Sequence, residues 1–191
     1  MTTETAALLR AIPSLTGTSP ELRLDRLPPE PVQLFREWLQ TALDRRVPEP
    51  HAATLATVDS AGMPDARTLV LKDVDEHGWA VAGTASSAKG SQLAANPAAA
   101  LDFWWQPLVR AVRVRGPVIR ASAEDSAADL AARSVAARAD VEPGDWILWR
   151  IRPVRVEFWQ GSVDRRHVRI VYTADGDAWR RDIVGGSSPH P

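Results

Sequence analysis

The segment Arg155-Val-Glu-Phe-Trp-Gln-Gly-Ser-Val-Asp-Arg-Arg-His-Val-Arg169 constrains the fold more than any other part of the chain. A run rich in Val, Phe and Trp, from Val154 to Trp159, meets Gly161-Ser162, residues typical of a chain reversal, and a second run follows. The pattern predicts a strand, a turn and a second strand. Arg165, His167 and Arg169 occupy alternate positions of the second run, and alternate side chains of a strand share a face. Three potential cations in register call for an anion opposite them. The solvated outer face of an edge strand accounts for them equally well.

The rest of the chain reads as strands with peripheral helices. Residues 1–28 are polar and carry Pro13, Gly17, Pro20 and Pro28, which predicts a short helix and then an extended arm. Pro29-Glu-Pro31 opens a helix, since proline suits a first turn. Its apolar stripe reads as Val32, Phe35, Leu39 and Leu43, and Pro48 and Pro50 end it. From His51 the period becomes two: strands over 53–58, 67–72 and 79–82, joined by tight turns, form an antiparallel meander. Ser86 to Asn96 reads as a loop entering a helix stopped by Pro97, and strands over 98–105 and 110–120 follow. Ser122 caps a helix that runs to about Arg138, with Glu124 and Asp125 in its first turn. One long strand, Trp146 to Trp159, leads into the hairpin, and a last strand covers 178–182. The expected organisation is an arm (1–28), a single domain (29–184) and a flexible tail (185–191). Six to eight mostly antiparallel strands with peripheral helices predict a mainly β fold, a closed barrel that leaves no exposed edge.

Composition narrows the function. A chain of 191 residues, 45% hydrophobic and with a net charge of −1, supports one substantial core and lacks the basic excess of a nucleic-acid binder. Without cysteine there is no disulfide, thiolate metal site or cysteine nucleophile. His51, His77, His167 and His190 form no paired metal-ligand spacing. The N-terminus lacks the basic start and apolar core of a signal peptide, and no apolar run reaches the ~20 residues of a membrane span. A cytoplasmic location is the default expectation. Of 23 basic residues only Lys72 and Lys89 are lysines, which draws the eye to both as compact point charges.

Two stretches offer anion sites. Gly83-Thr-Ala-Ser-Ser-Ala-Lys-Gly90 brings small residues to a helix start, where unpaired N–H groups, Ser87 and Lys89 are able to hold a phosphate. A plain polar loop with a capped helix is the alternative. Arg67 and Lys72 stand five positions apart and face opposite ways unless the strand twists or ends between them.

Taken together, RTLVLK (67–72), SSAKGSQLAANP (86–97) and EFWQGSVDRRHVR (157–169) resemble the pyridoxamine 5′-phosphate oxidase family of flavoproteins. The resemblance runs from about Pro31 to Asp182 and includes LFREWL (34–39), ATVDSAGMPDARTLVLK (56–72) and Trp179. SLTGT (14–18) is similar to the N-terminal arms of relatives used in phenazine biosynthesis. The resemblance implies an FMN-binding split β-barrel, a homodimer with two FMN molecules at the subunit interface. It puts Arg67, Thr68, Leu69, Val70, Leu71 and Lys72 along the flavin, with Lys72 also at the substrate phosphate. Gly83 falls at a flavin-contacting position, Ser87 and Lys89 on the FMN phosphate, and Trp159 and Arg169 in the flavin pocket from the other subunit. Arg165 and His167 become the catalytic pair that covers the substrate, and Arg133 a further substrate-phosphate ligand.

The implied reaction is oxidation of pyridoxamine or pyridoxine 5′-phosphate to pyridoxal 5′-phosphate, with dioxygen as acceptor. A related oxidase of a reduced phenazine precursor is the second reading, and a non-catalytic flavin- or ligand-binding dimer the third. The chain departs from the family at Ala88 (usually Arg), Gly83 (Thr), Ala111 (Gln) and Asp129 (Tyr), and a serine near the helix end becomes Ala137 or is lost. It also has a shorter segment before the last long strand and lacks the usual Arg-Leu-x-Pro ending. The departures point to a looser flavin site and a changed substrate.

Overall fold

The computed structural model describes residues 3–185. In chain order these form α1 (Glu4–Ala11), an extended arm, α2 (Pro31–Asp44), β1 (Ala52–Val58), β2 (Pro64–Val70), β3 (Asp73–Asp75) and β4 (Gly78–Thr84). Then come α3 (Ala88–Ala95), β5 (Ala98–Trp105), β6 (Arg110–Arg120), α4 (Ala123–Ala131), α5 (Val135–Arg138), β7 (Trp146–Ile151), β8 (Arg155–Gln160), β9 (Val168–Asp175) and β10 (Ala178–Gly185). The described residues thus hold ten strands, more than the six to eight expected.

Neighbouring strands are antiparallel in the order β10-β9-β8-β6-β5-β1-β2, while β3, β4 and β7 form a second wing that joins at β6. The long strand β6 makes the split. Its first half, Arg110 to Arg115, pairs with β8, and its last residues, Val118 to Arg120, pair with β7. The change of partner falls at Gly116, where a β-carbon would stand 1.8 Å from the Arg152 carbonyl oxygen. Glycine there lets the connection between β7 and β8 cross directly over β6. The fold is a split β-barrel, as the resemblance implies, and not the closed barrel expected from the strand count, since β10 and β2 end the sheet among the described residues.

Alternation builds the core. Leu101, Phe103 and Trp105 of β5 face inward with Val112 and Val114 of β6, while Asp102, Trp104, Arg113 and Arg115 face out. Helix α2 closes the barrel, with Phe35 meeting Trp79 and Phe103 edge-on and Trp38 meeting Phe158. Pro31 stands at its start, as expected. Its buried stripe is Leu34, Phe35, Trp38 and Ala42, whereas Leu43 is exposed. The expected stripe has the same period but is rotated, because the large Trp38 ring fixes which face turns inward.

Three further expectations are corrected. The strand over 146–159 is broken between Ile151 and Arg155, because Pro153 has no N–H to continue a ladder. The helix expected from Ser122 to Arg138 is two helices, since Ser134 caps α5 by accepting from Ala137 N and so starts a new first turn. Gly185, assigned to the tail, pairs with Val168 in β10, and the remainder of the tail lies outside the described residues.

The arm is pinned to the barrel near the hairpin. Thr18 N donates to Pro107 O at 2.9 Å, Ser19 Oγ to Gly161 O at 2.7 Å and Gln160 Nε2 to Pro20 O at 3.0 Å. Arg110, 2% exposed, stacks on Trp38 at 4.0 Å and donates from Nε to Gln160 Oε1. Burial pushes its guanidinium down to about 10. No helix of the described residues is long and apolar enough to cross a membrane.

Candidate functional site

The loop after β4 is built around Ser87 and Lys89. Ser87 caps α3, accepting from Gly90 N and donating to Thr84 O at 2.6 Å, and Lys89 Nζ donates to Ser87 Oγ at 3.1 Å. Asp145 fixes the loop from outside, its two carboxylate oxygens accepting from Ser86 N and Ser86 Oγ. Gly83 lies under the Lys89 side chain, where a β-carbon would come within 2.4 Å of Nζ. Burial and then the positive charge of Arg67 push the Lys89 ammonium below its ordinary value. Among the described residues Lys89 makes no ion pair. This is a cation in want of an anion.

Arg67 lies alongside. Its guanidinium donates to Leu55 O, Thr57 Oγ1, Asp65 Oδ2 and Gln92 Oε1. Gln92, one helical turn beyond Lys89, thus links the loop to β2. Thr68 is exposed on β2, and Leu69, Val70 and Leu71 are half-buried. The strand ends at Val70, so Arg67 and Lys72 are freed from strict alternation and need not face opposite ways.

Lys72 belongs to a second cluster. Its Nζ is 3.7 Å from Asp129 Oδ1, and Asp129 Oδ2 accepts from Trp146 Nε1 at 2.8 Å. The Arg133 guanidinium lies over the Trp146 ring at 4.5 Å, and its buried Nε has no hydrogen-bond partner among the described residues. Arg133 takes this position because the helix breaks there, between α4 and α5.

The hairpin forms the third cluster, by a different geometry from the one expected. β9 begins only at Val168, so Arg165 and His167 lie in the turn and strand alternation does not align them with Arg169. Arg165 has left-handed backbone, φ 65°, and an exposed side chain. Asp164 shapes the turn, accepting from Ser162 Oγ and Arg166 N. The hydrogen bonds from Ser162 and Arg166 hold its carboxyl low, at about 2. His167 packs against Trp159 with centroids 5.1 Å apart and the rings tilted by 47°, and its Nδ1 accepts from Ser162 N. Trp159, Arg165, His167 and Arg169 line one cavity of about 390 Å³ with Val184 and Gly185. The residues that alternation grouped are brought together by the turn.

Glu157, next to Trp159 on the same face of β8, was not singled out from the sequence. Its carboxylate accepts from Arg113, Arg155 and Arg169. Burial raises it, but the hydrogen bond and charge of Arg113, followed by Arg169 and Arg155, outweigh burial and hold it below the ordinary glutamate range. Its spacing of two from Trp159 was the available signal. Trp146 gave none, since its indole N–H acquires a role only through Asp129.

In one chain the third cluster stands apart from the first. β8 and β2 are separated by β6, β5 and β1, four strand spacings or roughly 19 Å measured along the curved sheet. Ala111 lies between them, paired with Trp159 on one side and Trp104 on the other.

Comparisons with known proteins identify the family. The family described as pyridoxamine 5′-phosphate oxidase matches residues 39–160, and the pyridoxine 5′-phosphate oxidase C-terminal dimerisation region matches residues 146–184. A pyridoxine/pyridoxamine 5′-phosphate oxidase of Thermosynechococcus vestitus is 38% identical over 80% of this chain and 87% of its own. One from Pseudomonas paraeruginosa is 37% identical over 81% and 88%. Among solved structures, PhzG from Burkholderia lata, in complex with tetrahydrophenazine-1-carboxylic acid, superposes with a TM-score of 0.82 at 25% identity, covering 89% of this chain and 100% of its own. A pyridoxamine 5′-phosphate oxidase-related FMN-binding protein from Nostoc punctiforme shares the fold, with a TM-score of 0.70 at 18% identity over 84% of this chain and 100% of its own. Matched over most of its length by the family and by relatives above 30% identity, the chain belongs to the pyridoxamine 5′-phosphate oxidase family of oxidoreductases.

Proposed function

We propose that two copies of the chain form an FMN-dependent oxidase in which each flavin lies between the first cluster of one copy and the hairpin of the other. The observation that carries this reading is Lys89, a half-buried cation beside Arg67 with no counter-ion among the described residues, in the space that Gly83 leaves open. The cradle fits a phosphate monoester: Ser87, Lys89 and the start of α3 would hold it, with Arg67 reinforcing the charge. The match to a dimerisation region over β7 to β10 supports a homodimer, as does the separation of the clusters within one chain. Trp104, 49% exposed and packed on Trp159, offers an apolar contact on the same face.

Bound FMN would accept a hydride from the substrate and pass electrons to dioxygen. The chain's own groups bind and orient. Arg165, exposed at the mouth of the hairpin cavity, holds the substrate over the flavin, and Trp159 and Arg169 form the flavin wall. Because His167 Nδ1 already accepts from Ser162 N, the neutral ring carries its proton on Nε2 and presents a donor. This favours orientation of the substrate by His167 over removal of a proton. Lys72 and Arg133 take the anionic end of the substrate.

The names of the curated relatives make pyridoxamine or pyridoxine 5′-phosphate the first substrate, yielding pyridoxal 5′-phosphate. The Asp129 carboxylate beside Lys72 favours the second reading, a reduced heterocycle such as a phenazine precursor. The test is to add FMN to the purified protein, record its visible spectrum and supply pyridoxine 5′-phosphate in air. Bound flavin with pyridoxal 5′-phosphate formation is the result for the first substrate. Bound flavin without it moves the assignment to the second. No bound flavin overturns the oxidase.

A further inference from the structure

We infer that Asp129 sets the substrate-end subsite to accept a single carboxylate and to reject a phosphate. The inference rests on the reading of Lys72 and Arg133 as the groups that take the anionic end. Asp129 is held in place from both sides, by Lys72 at 3.7 Å and by Trp146 Nε1 at 2.8 Å, with the Asp129 and Lys72 side chains only 15% and 19% exposed. It cannot swing to solvent without leaving the indole N–H and the ammonium unpaired. It also stands in the last turn of α4, where the helix dipole adds negative potential to its own charge.

Two cations and one fixed carboxylate leave the subsite a single net positive charge. A phosphate monoester carries about 1.5 to 2 negative charges at neutral pH, and the excess would face Asp129. A carboxylate carries one. Arg133 supplies its partner: the guanidinium is oriented by the Trp146 face and makes no ion pair among the described residues, so its terminal nitrogens are left for a ligand. A planar carboxylate satisfies that fork with two parallel hydrogen bonds. The substrate class is therefore one that ends in a single carboxyl group, held by Arg133, with Lys72 already neutralised by the protein.

A matched pair of probes isolates the charge: 1-naphthoate and 1-naphthyl phosphate, titrated by calorimetry into the FMN-treated protein. The expected result is that the wild type binds the carboxylate tighter by on the order of tenfold. Asp129→Asn keeps an acceptor for Trp146 and should raise affinity for the phosphate probe by about tenfold while changing the carboxylate probe by less than about threefold. Arg133→Gln should weaken the carboxylate probe. The preference should narrow below about pH 6, where the phosphate probe becomes a monoanion. Equal binding of both probes by the wild type, binding of neither, or a ratio unmoved by Asp129→Asn overturns the inference. Flavin absorbance of the same sample reports separately on the oxidase reading, and the probe ratio is read whether or not flavin binds.

Discussion

Gly83 and Lys89 occupy one another's space: a β-carbon on Gly83 would stand 2.3 Å from Lys89 Cε. The absence of a side chain at Gly83 is thus what allows the ammonium to lie back against Ser87. Gly83→Thr should push Lys89 out of the cradle and weaken FMN by about tenfold, comparable to loss of one charged hydrogen bond. Quenching of flavin fluorescence on titration measures it, and unchanged affinity would show that Lys89 holds the phosphate from elsewhere.

Lys89 also sets a pH dependence. Burial and Arg67 lower its proton affinity, so in the free protein it loses its charge below the ordinary lysine value. A bound phosphate favours the ammonium and raises its pKa again, so affinity falls as pH rises from the depressed value of the free protein toward the higher value in the complex. FMN affinity should therefore decline at alkaline pH, and binding should take up protons in that window. Lys89→Met should bind more weakly at neutral pH and flatten the decline.

The Glu157 cluster makes a stability prediction. Its net pKa is depressed, so its contribution is present above the unfolded glutamate value and fades as pH falls through the folded one. Glu157→Gln should cost about 1–3 kcal/mol at neutral pH, toward the low end, because Arg113, Arg155 and Arg169 are 61%, 37% and 45% exposed and rehydrate when freed. Urea unfolding at neutral and acid pH checks both parts: the gap between wild type and variant should close in acid.

Arg110 ties the core to the arm through Gln160 and Pro20. Arg110→Lys loses the Nε bond and the flat stack on Trp38. It should lower stability by about 2 kcal/mol and expose the arm to protease before the barrel unfolds. Simultaneous cleavage of arm and barrel would deny the link.

The barrel was readable because period-two burial and tight turns are local signals, and β5 and β6 show them over their whole length. The broken strand was readable too, since Pro153 forbids the ladder it was placed in. The face of α2 was not, because Trp38 and Leu39 satisfy the same period and only packing chooses between them. At the site, Ser87, Lys89 and the hairpin residues stood in contiguous motifs. Gln92 on Arg67, Trp146 between Asp129 and Arg133, and Glu157 under Arg169 are made by side-chain contacts between different elements, which no local pattern displays. His167 was grouped with Arg169 by alternation, but the Asp164 turn is what gathers them.

The composite site is tested most directly by a heterodimer of one chain carrying Lys89→Met and another carrying Arg169→Ala, purified with two different tags and titrated with FMN. Each variant damages a different half of the site, so each homodimer has two damaged sites and the heterodimer one intact site and one doubly damaged. The expected result is tight binding of one FMN per heterodimer and weak binding to either variant homodimer. A heterodimer that binds no FMN tightly, or two, contradicts a flavin site shared between the phosphate loop of one copy and the hairpin of the other.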